Sequence, residues 1–152
     1  CRLYYRNYKI PTVVFRQFNI YGVGQNFNFA IPNMIRRIKY CSEKKLMLYG
    51  SSEDTRDFTN VKDLCAVYEE IIKVKPAGET FNVGSGIEYS IYEIAQKINR
   101  LTGKNLKLYY DNKILSGKIT KIAANNKKLL NAILWSPKIS IDDGLKELVE
   151  LI

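Results

Sequence analysis

The spacing of apolar and polar positions divides the chain into alternating extended and helical segments. After Pro11, the β-branched and aromatic run Thr12-Val13-Val14-Phe15-Arg16-Gln17-Phe18-Asn19 predicts a buried strand, which Gly22 and Gly24 break into a loop. From about Phe29, Ile31, Met34, Ile35 and Ile38 follow helical spacing, and Pro32 fits only the first turn of such a helix. Leu46 to Tyr49 predicts a short strand ended by Gly50-Ser51-Ser52, and Arg56 to Thr59 a second extended piece. Asn60 can cap a helix whose predicted buried face is Leu64, Cys65, Tyr68, Ile71 and Ile72. The turn Pro76-Ala77-Gly78 leads into a predicted strand, Thr80 to Val83, closed by Gly84-Ser85-Gly86. Ser90 and Glu93 form a capping box for a helix with Ile91, Ile94, Ala95, Ile98 and Leu101 on one face and Gly103 as its stop. Leu106 to Tyr109 alternates as a strand, and a last helix from Ser140 is expected to bury Ile141, Leu145, Leu148 and Val149.

This order of strands and helices predicts a mixed α/β fold without internal repeats or a clean linker. The 152 residues suffice for one domain with a real core. Cys1 to Arg6 reads as the tail of an amphipathic helix, so the chain is expected to begin in mid-structure. No apolar run nears the roughly 20 residues of a membrane span, and no signal-peptide pattern opens the chain; no membrane association and a cytoplasmic location are expected. The three cysteines, Cys1, Cys41 and Cys65, are widely spaced and set among apolar residues, which predicts buried or incidental thiols. Histidine is absent, which removes Ser-His-Asp, Cys-His and His-ligated metal schemes, and no metal site is expected.

Lysine and arginine outnumber the acids by 24 to 15, a net charge of +9. Such a balance suits nucleic acid, an anionic membrane surface or a phosphate-bearing ligand. The cations are scattered over Arg36-Arg37-Lys39, Lys44-Lys45, Lys118-Lys121 and Lys127-Lys128, without the interleaved aromatics of a single-strand binder. One polyphosphate site on a solvated basic surface fits better than a nucleic-acid module, which stands as the alternative of another class.

Four segments carry candidate chemistry: Arg16-Gln17-Phe18-Asn19-Ile20-Tyr21-Gly22, Leu48-Tyr49-Gly50, Arg56-Asp57-Phe58-Thr59-Asn60-Val61-Lys62-Asp63-Leu64 and Gly78-Glu79-Thr80-Phe81-Asn82-Val83-Gly84. Asn19 stands where a strand gives way to a Gly-rich loop, the kind of place where α/β sheets bind ligands. An Arg56 guanidinium can grip a diphosphate with charge-assisted bonds of about 1.5–3 kcal/mol each. Tyr49 can offer a ring face to a base at about 0.5–1.5 kcal/mol. Asp57 and Asp63 suit the orienting of backbone and neighbouring cations. Gly22-x-Gly24 and Gly84-x-Gly86 lack the full dinucleotide fingerprint and are expected to be turns.

Together and in this order the segments resemble the extended short-chain dehydrogenase/reductase family, specifically its nucleotide-sugar epimerases and dehydratases. They match its R-x-x-N-x-Y-G, L-Y-G, R-D-[FWY]-x-x-V-x-D and G-x-x-[FY]-N-[VI]-G patterns, with a weaker match at Trp135-Ser136-Pro137-Lys138 and Asp143-Gly144-Leu145. The resemblance runs from Thr12 to the C-terminus. It implies the last strands of a Rossmann-like parallel sheet (residues 1–22 and about 56–86) plus a small mixed α/β substrate-binding lobe (about 23–55 and 87–152), with the NAD-binding half in sequence outside this chain. It implies a UDP-glucose 4-epimerase-like reaction, by transient oxidation of a hexose carbon, or else a 4,6-dehydratase. NAD is the implied cofactor, a nucleoside-diphosphate sugar the partner, and the full-length protein a homodimer. By the same resemblance Gln17 and Phe18 lie beside the nicotinamide, Asn19, Arg56 and Asn82 by the diphosphate, and Met47 and Tyr49 beside the base.

The family's catalytic pair is Tyr-x-x-x-Lys, and the chain has that spacing at Tyr5/Lys9, Tyr40/Lys44 and Tyr109/Lys113. In the family the pair precedes the R-x-x-N strand by a long helix, so none of the three is expected to serve, and this chain alone is expected to be inactive. Departures from the pattern concentrate late in the chain. The Arg-x-Gly-Asp segment is Leu115-Ser116-Gly117-Lys118, with Lys118 or Lys121 expected to replace the lost arginine; Asn125, Leu134 and Val23 stand where Asp, Gly and Pro are common.

Overall fold

The computed structural model describes residues 1–49, 52, 54–110 and 121–152. After helix α1 (Arg2–Tyr8), the segment expected to be one strand forms two, β1 (Val14–Gln17) and β2 (Asn19–Tyr21), with Phe18 between them. Pairing explains the break. β1 runs parallel to β5 (Thr80–Val83), with Arg16 opposite Asn82, whereas β2 runs parallel to β4 (Thr55–Asn60), with Asn19 opposite Phe58. The chain thus changes neighbours at Phe18, whose amide still donates to the Val83 carbonyl at 3.0 Å. Strand propensity does not record which neighbour a strand takes.

Between these pairs run α2 (Ala30–Lys39), with Pro32 in its first turn, and β3 (Lys45–Leu48), which pairs parallel with β7 (Lys107–Tyr110). Helix α3 (Val61–Val74) starts where Asn60 Oδ1 accepts the Lys62 amide at 2.9 Å, and α4 (Ile91–Leu101) starts in the expected Ser90/Glu93 capping box. Gly103 follows α4 at φ +67°, a conformation that costs glycine nothing. Gly24 and Gly86 also take positive φ in turns. Three short elements escaped the sequence pattern: β6 (Glu88–Ser90), antiparallel to β4; β8 (Lys121–Ile122), parallel to β4; and α5 (Lys127–Ala132). Helix α6 (Ile141–Leu151) buries Ile141, Leu145, Leu148 and Val149 as expected, together with Gly144.

Two apolar cores result. One joins α2, α4 and α6 around Ile35, Ile38, Ile94, Ile98 and Leu145, with Tyr21 and Phe58 from the sheet. The other joins α3, β1, β5 and α5 around Val67, Phe81, Val83, Leu129 and Trp135. The buried face of α3 differs from the expected one: Leu64, Val67 and Ile71 are inside, while Cys65, Tyr68 and Ile72 are exposed. The expected stripe is offset by one position, and the sheet here covers only one side of an unusually apolar helix. The thiols are all free; Cys1 and Cys65 are exposed and Cys41 half-buried, so burial does not explain them. Among the described residues, no helix is long and apolar enough to cross a membrane.

Candidate functional site

The change of partner at Phe18 opens a cleft at the carboxyl end of the parallel β1–β5 pair, the end of an α/β sheet that holds ligands. A cavity of about 440 Å³ is lined there by Gln17, Phe18 and Asn19, by Phe58 of β4, and by Phe29, Ala30 and Ile31 where α2 begins. Three of the residues expected at the site therefore share one wall. Gln17 is fixed by donating its Nε2 to the Tyr68 hydroxyl at 2.8 Å. Asn19 is fixed by donating its Nδ2 to the Asp57 carbonyl at 3.3 Å.

A second cavity, of about 200 Å³, lies on the far side of the first turn of α2, lined by Ala30, Asn33, Arg37, Leu48, Tyr49 and Ile91. Ala30, at the N-terminus of α2, lines both cavities, and amide groups without helical partners there favour anions. Tyr49 is 61% exposed and carries the Arg37 guanidinium over its ring, 4.6 Å from the centroid. Met47 is half-buried on β3, and its carbonyl accepts from Arg37 Nη2 at 2.6 Å.

Side chains alternate along β4, so Arg56 shares a face with Phe58, which lines the larger cavity, while Asp57 points the other way. Arg56 donates to the Thr55 carbonyl at 2.7 Å and pairs loosely with Asp54 at 3.9 Å, rather than with Asp57. Asp57 is fully buried, and its carboxylate accepts from the Ser85 amide (2.9 Å) and hydroxyl (2.6 Å), the Gly86 amide (2.9 Å), the Ala124 amide (3.0 Å) and the Thr59 hydroxyl (3.2 Å). This carboxylate fastens the Gly84–Gly86 turn and the strand leading to α5 onto β4, an orienting role that matches the sequence expectation. Gly84 is required beneath it, because a Cβ there would strike the Ala124 methyl and approach Asp57 Oδ2 to 2.6 Å. Asp63 likewise accepts the Lys138 and Ile139 amides at 3.0 and 3.1 Å, which docks the Trp135–Lys138 segment on α3.

Asn82 lies away from both cavities' walls, opposite Arg16 in the sheet, and donates to the Asn125 carbonyl at 3.2 Å. Lys118, with the altered segment from Leu115, falls outside the described residues, as does Lys113. Of the Tyr-x-x-x-Lys spacings, Lys9 is the left-handed residue that ends α1, Tyr40 caps the end of α2, and Tyr109 is on β7, so none lies within one helix. Sequence reasoning missed Arg37, because an arginine in the basic run Arg36-Arg37-Lys39 carries no signal that separates it from its neighbours before folding. Two tyrosines near the site have hydroxyls pushed up to about 12, both chiefly by burial: Tyr21, at the cleft wall, and Tyr110. The neighbouring Asn60 side chain pulls Tyr21 the other way, although no hydrogen bond of good geometry reaches the Tyr21 hydroxyl among the described residues.

Residues 1–148 match the family described as GDP-mannose 4,6 dehydratase. The chain is 34% identical over 154 residues to UDP-glucuronate 4-epimerase of Thermodesulfobacterium geofontis, covering 96% of this chain and 44% of that protein. Among solved structures, dTDP-glucose 4,6-dehydratase of Bacillus anthracis in complex with NAD is 31% identical with a TM-score of 0.81, over 98% of this chain and 47% of that one. UDP-glucuronic acid 4-epimerase of Bacillus cereus, solved as a variant with UDP-4-deoxy-4-fluoro-glucuronic acid and NAD, is 25% identical with a TM-score of 0.83, over 99% and 49%. The architecture is the Rossmann-like α/β fold of such enzymes, and the chain spans less than half the length of these curated relatives.

Proposed function

Because the chain belongs to the family described as GDP-mannose 4,6 dehydratase, we propose that it is the nucleotide-sugar-binding part of an NAD-dependent UDP-hexose 4-epimerase. The observation that carries this reading is the pair of cavities that share Ala30 in their walls, one beside Gln17, Phe18 and Asn19 and one beside Tyr49. They suit a ligand with a sugar at one end, a base at the other and a diphosphate by the first turn of α2.

On this reading Asn19 holds a phosphate or sugar oxygen, and Arg56, which lines neither cavity but shares a β4 face with Phe58, swings to the diphosphate and neutralises it. Tyr49 and Met47 flank the base and Lys118 serves the phosphates, whereas Asn82, away from both cavities, holds the Asn125 carbonyl. The large cleft, walled by an amide and a phenyl ring, fits a nicotinamide beside Gln17 and Phe18. NAD, when bound, supplies hydride acceptance from a hexose carbon and its return. The residues of this chain bind and orient the sugar and shield it from water, while the acid–base pair comes from elsewhere in the protein. This stretch alone is then inactive. Residues 1–22 and about 56–86 complete the Rossmann-like sheet that the rest of the protein continues, and the remaining residues form the substrate lobe. The full-length protein is a cytoplasmic homodimer.

Incubation of the full-length protein with UDP-glucose, with product followed by NMR, tests the reaction, and a C4 epimer is expected. The likeness to a dTDP-glucose 4,6-dehydratase supports a second reading, for which a 4-keto-6-deoxy product from dTDP-glucose is the sign. Absence of both products and of saturable UDP binding, with tight and strongly salt-dependent DNA binding instead, would overturn both in favour of a nucleic-acid module.

A further inference from the structure

Arg37 sits on the third turn of α2 and makes two contacts at once: its Nη2 donates to the Met47 carbonyl at 2.6 Å, and its guanidinium lies over the Tyr49 ring at 4.6 Å. The geometry of β3 explains why a cation is placed there. Lys107 donates its amide to the Lys44 carbonyl, so the carbonyls of Lys44 and Leu46 face β7 and that of Met47 faces the open edge of the ribbon. A half-buried edge carbonyl needs a donor, and a guanidinium supplies one that is charged and flat. The same plane then covers one face of Tyr49 and leaves the ring otherwise exposed.

We infer that Arg37 is a positioning residue for the base subsite: it pins the end of β3 and presents the uncovered face of Tyr49 to a nucleobase. This rests on the proposed role of Tyr49. Arg37 acts through Tyr49 and Met47 and leaves the diphosphate to other groups. A double-mutant cycle separates that from a merely structural part.

The test measures UDP affinity, the KM and kcat for the UDP-sugar, and the melting temperature of the full-length protein with Arg37→Met, Arg37→Lys, Tyr49→Ala and the Arg37→Met/Tyr49→Ala pair. Expected is an about tenfold weaker UDP affinity for Arg37→Met, carried in KM rather than kcat. In the Tyr49→Ala background the same change costs less than about twofold. Arg37→Lys, which keeps a donor for the Met47 carbonyl and loses the flat cation, lands between; it also serves should Arg37→Met fold poorly. Equal losses in both backgrounds, or Arg37→Lys indistinguishable from wild type, would overturn the inference. A Tyr49→Ala protein that binds UDP undiminished would remove the base subsite and the role of Arg37 with it. Loss of all UDP binding in the wild type would instead overturn the proposed function.

Discussion

In the core around Ile35, Ile94 and Leu145, the helices α2, α4 and α6 close on one another and bury the faces that their spacing predicts, except that Leu101 at the end of α4 is exposed and Ile91 at its start half-buried. In the core around Val67 and Phe81, α3 packs one stripe against β1 and β5 and leaves Tyr68 and Ile72 outside, 40% and 65% exposed. On the open face of this second core runs a groove of about 620 Å³ lined by Val13, Phe15, Tyr68, Ile71 and Ile72. The first core is self-sufficient. The second has an apolar face and a strand edge that its own residues do not cover, as the proposed continuation of the sheet by the rest of the protein requires. The seam between the two regions is Asp57.

The largest effect is expected from breaking that seam. Asp57→Ala strands five donors and should cost about 3–5 kcal/mol in chemical denaturation, more than any single change in the groove. Next, Ile94→Ala in the closed core should cost about 2–5 kcal/mol, whereas Ile72→Ala in this stretch alone should stay within about 0.5 kcal/mol. Repeating Ile72→Ala in the full-length protein sharpens the contrast: a clearly larger loss there is expected, and equal small losses would show the groove uncovered in both. Gly144→Ala should cost about 1–3 kcal/mol, because its Cβ would strike the Tyr21 hydroxyl. Tyr21→Phe removes that oxygen and should recover part of the loss.

A further effect is on pH. Tyr21 and Tyr110 titrate near 12 in the folded protein against 10.0 unfolded. Between these values the folded state holds more protons than the unfolded one, so stability is full below pH 10 and falls as pH rises towards 12. Melting followed across that window should lose part of its slope in Tyr21→Phe.

Where a residue acts on its own neighbours in sequence, the sequence was readable. Ser90 with Glu93, Asn60 before Val61, and Ser140 before α6 cap helices by contacts a few residues long, and each appears as expected. Thr80–Val83 is bounded by turns and has the predicted limits. What stayed hidden depends on distant partners. Phe18 interrupts a strand only because β4 and β5 take different halves of it. Cys65, Tyr68 and Ile72 were expected inside because periodicity finds an apolar stripe without saying what lies against it. At the site, the motifs led to Gln17, Phe18 and Asn19 on one wall, while Arg37 depends on a meeting of α2 with β3 that no motif records. The Lys-rich α5 has no side-chain cap to announce it.

Calorimetric titration of the full-length protein with UDP asks whether the two cavities that share Ala30 hold a nucleoside diphosphate. Saturable binding is expected, which Arg56→Ala weakens about tenfold or more and the exposed control Lys73→Ala leaves unchanged. Binding equally strong in Arg56→Ala and wild type, or no saturable binding at all, would contradict it.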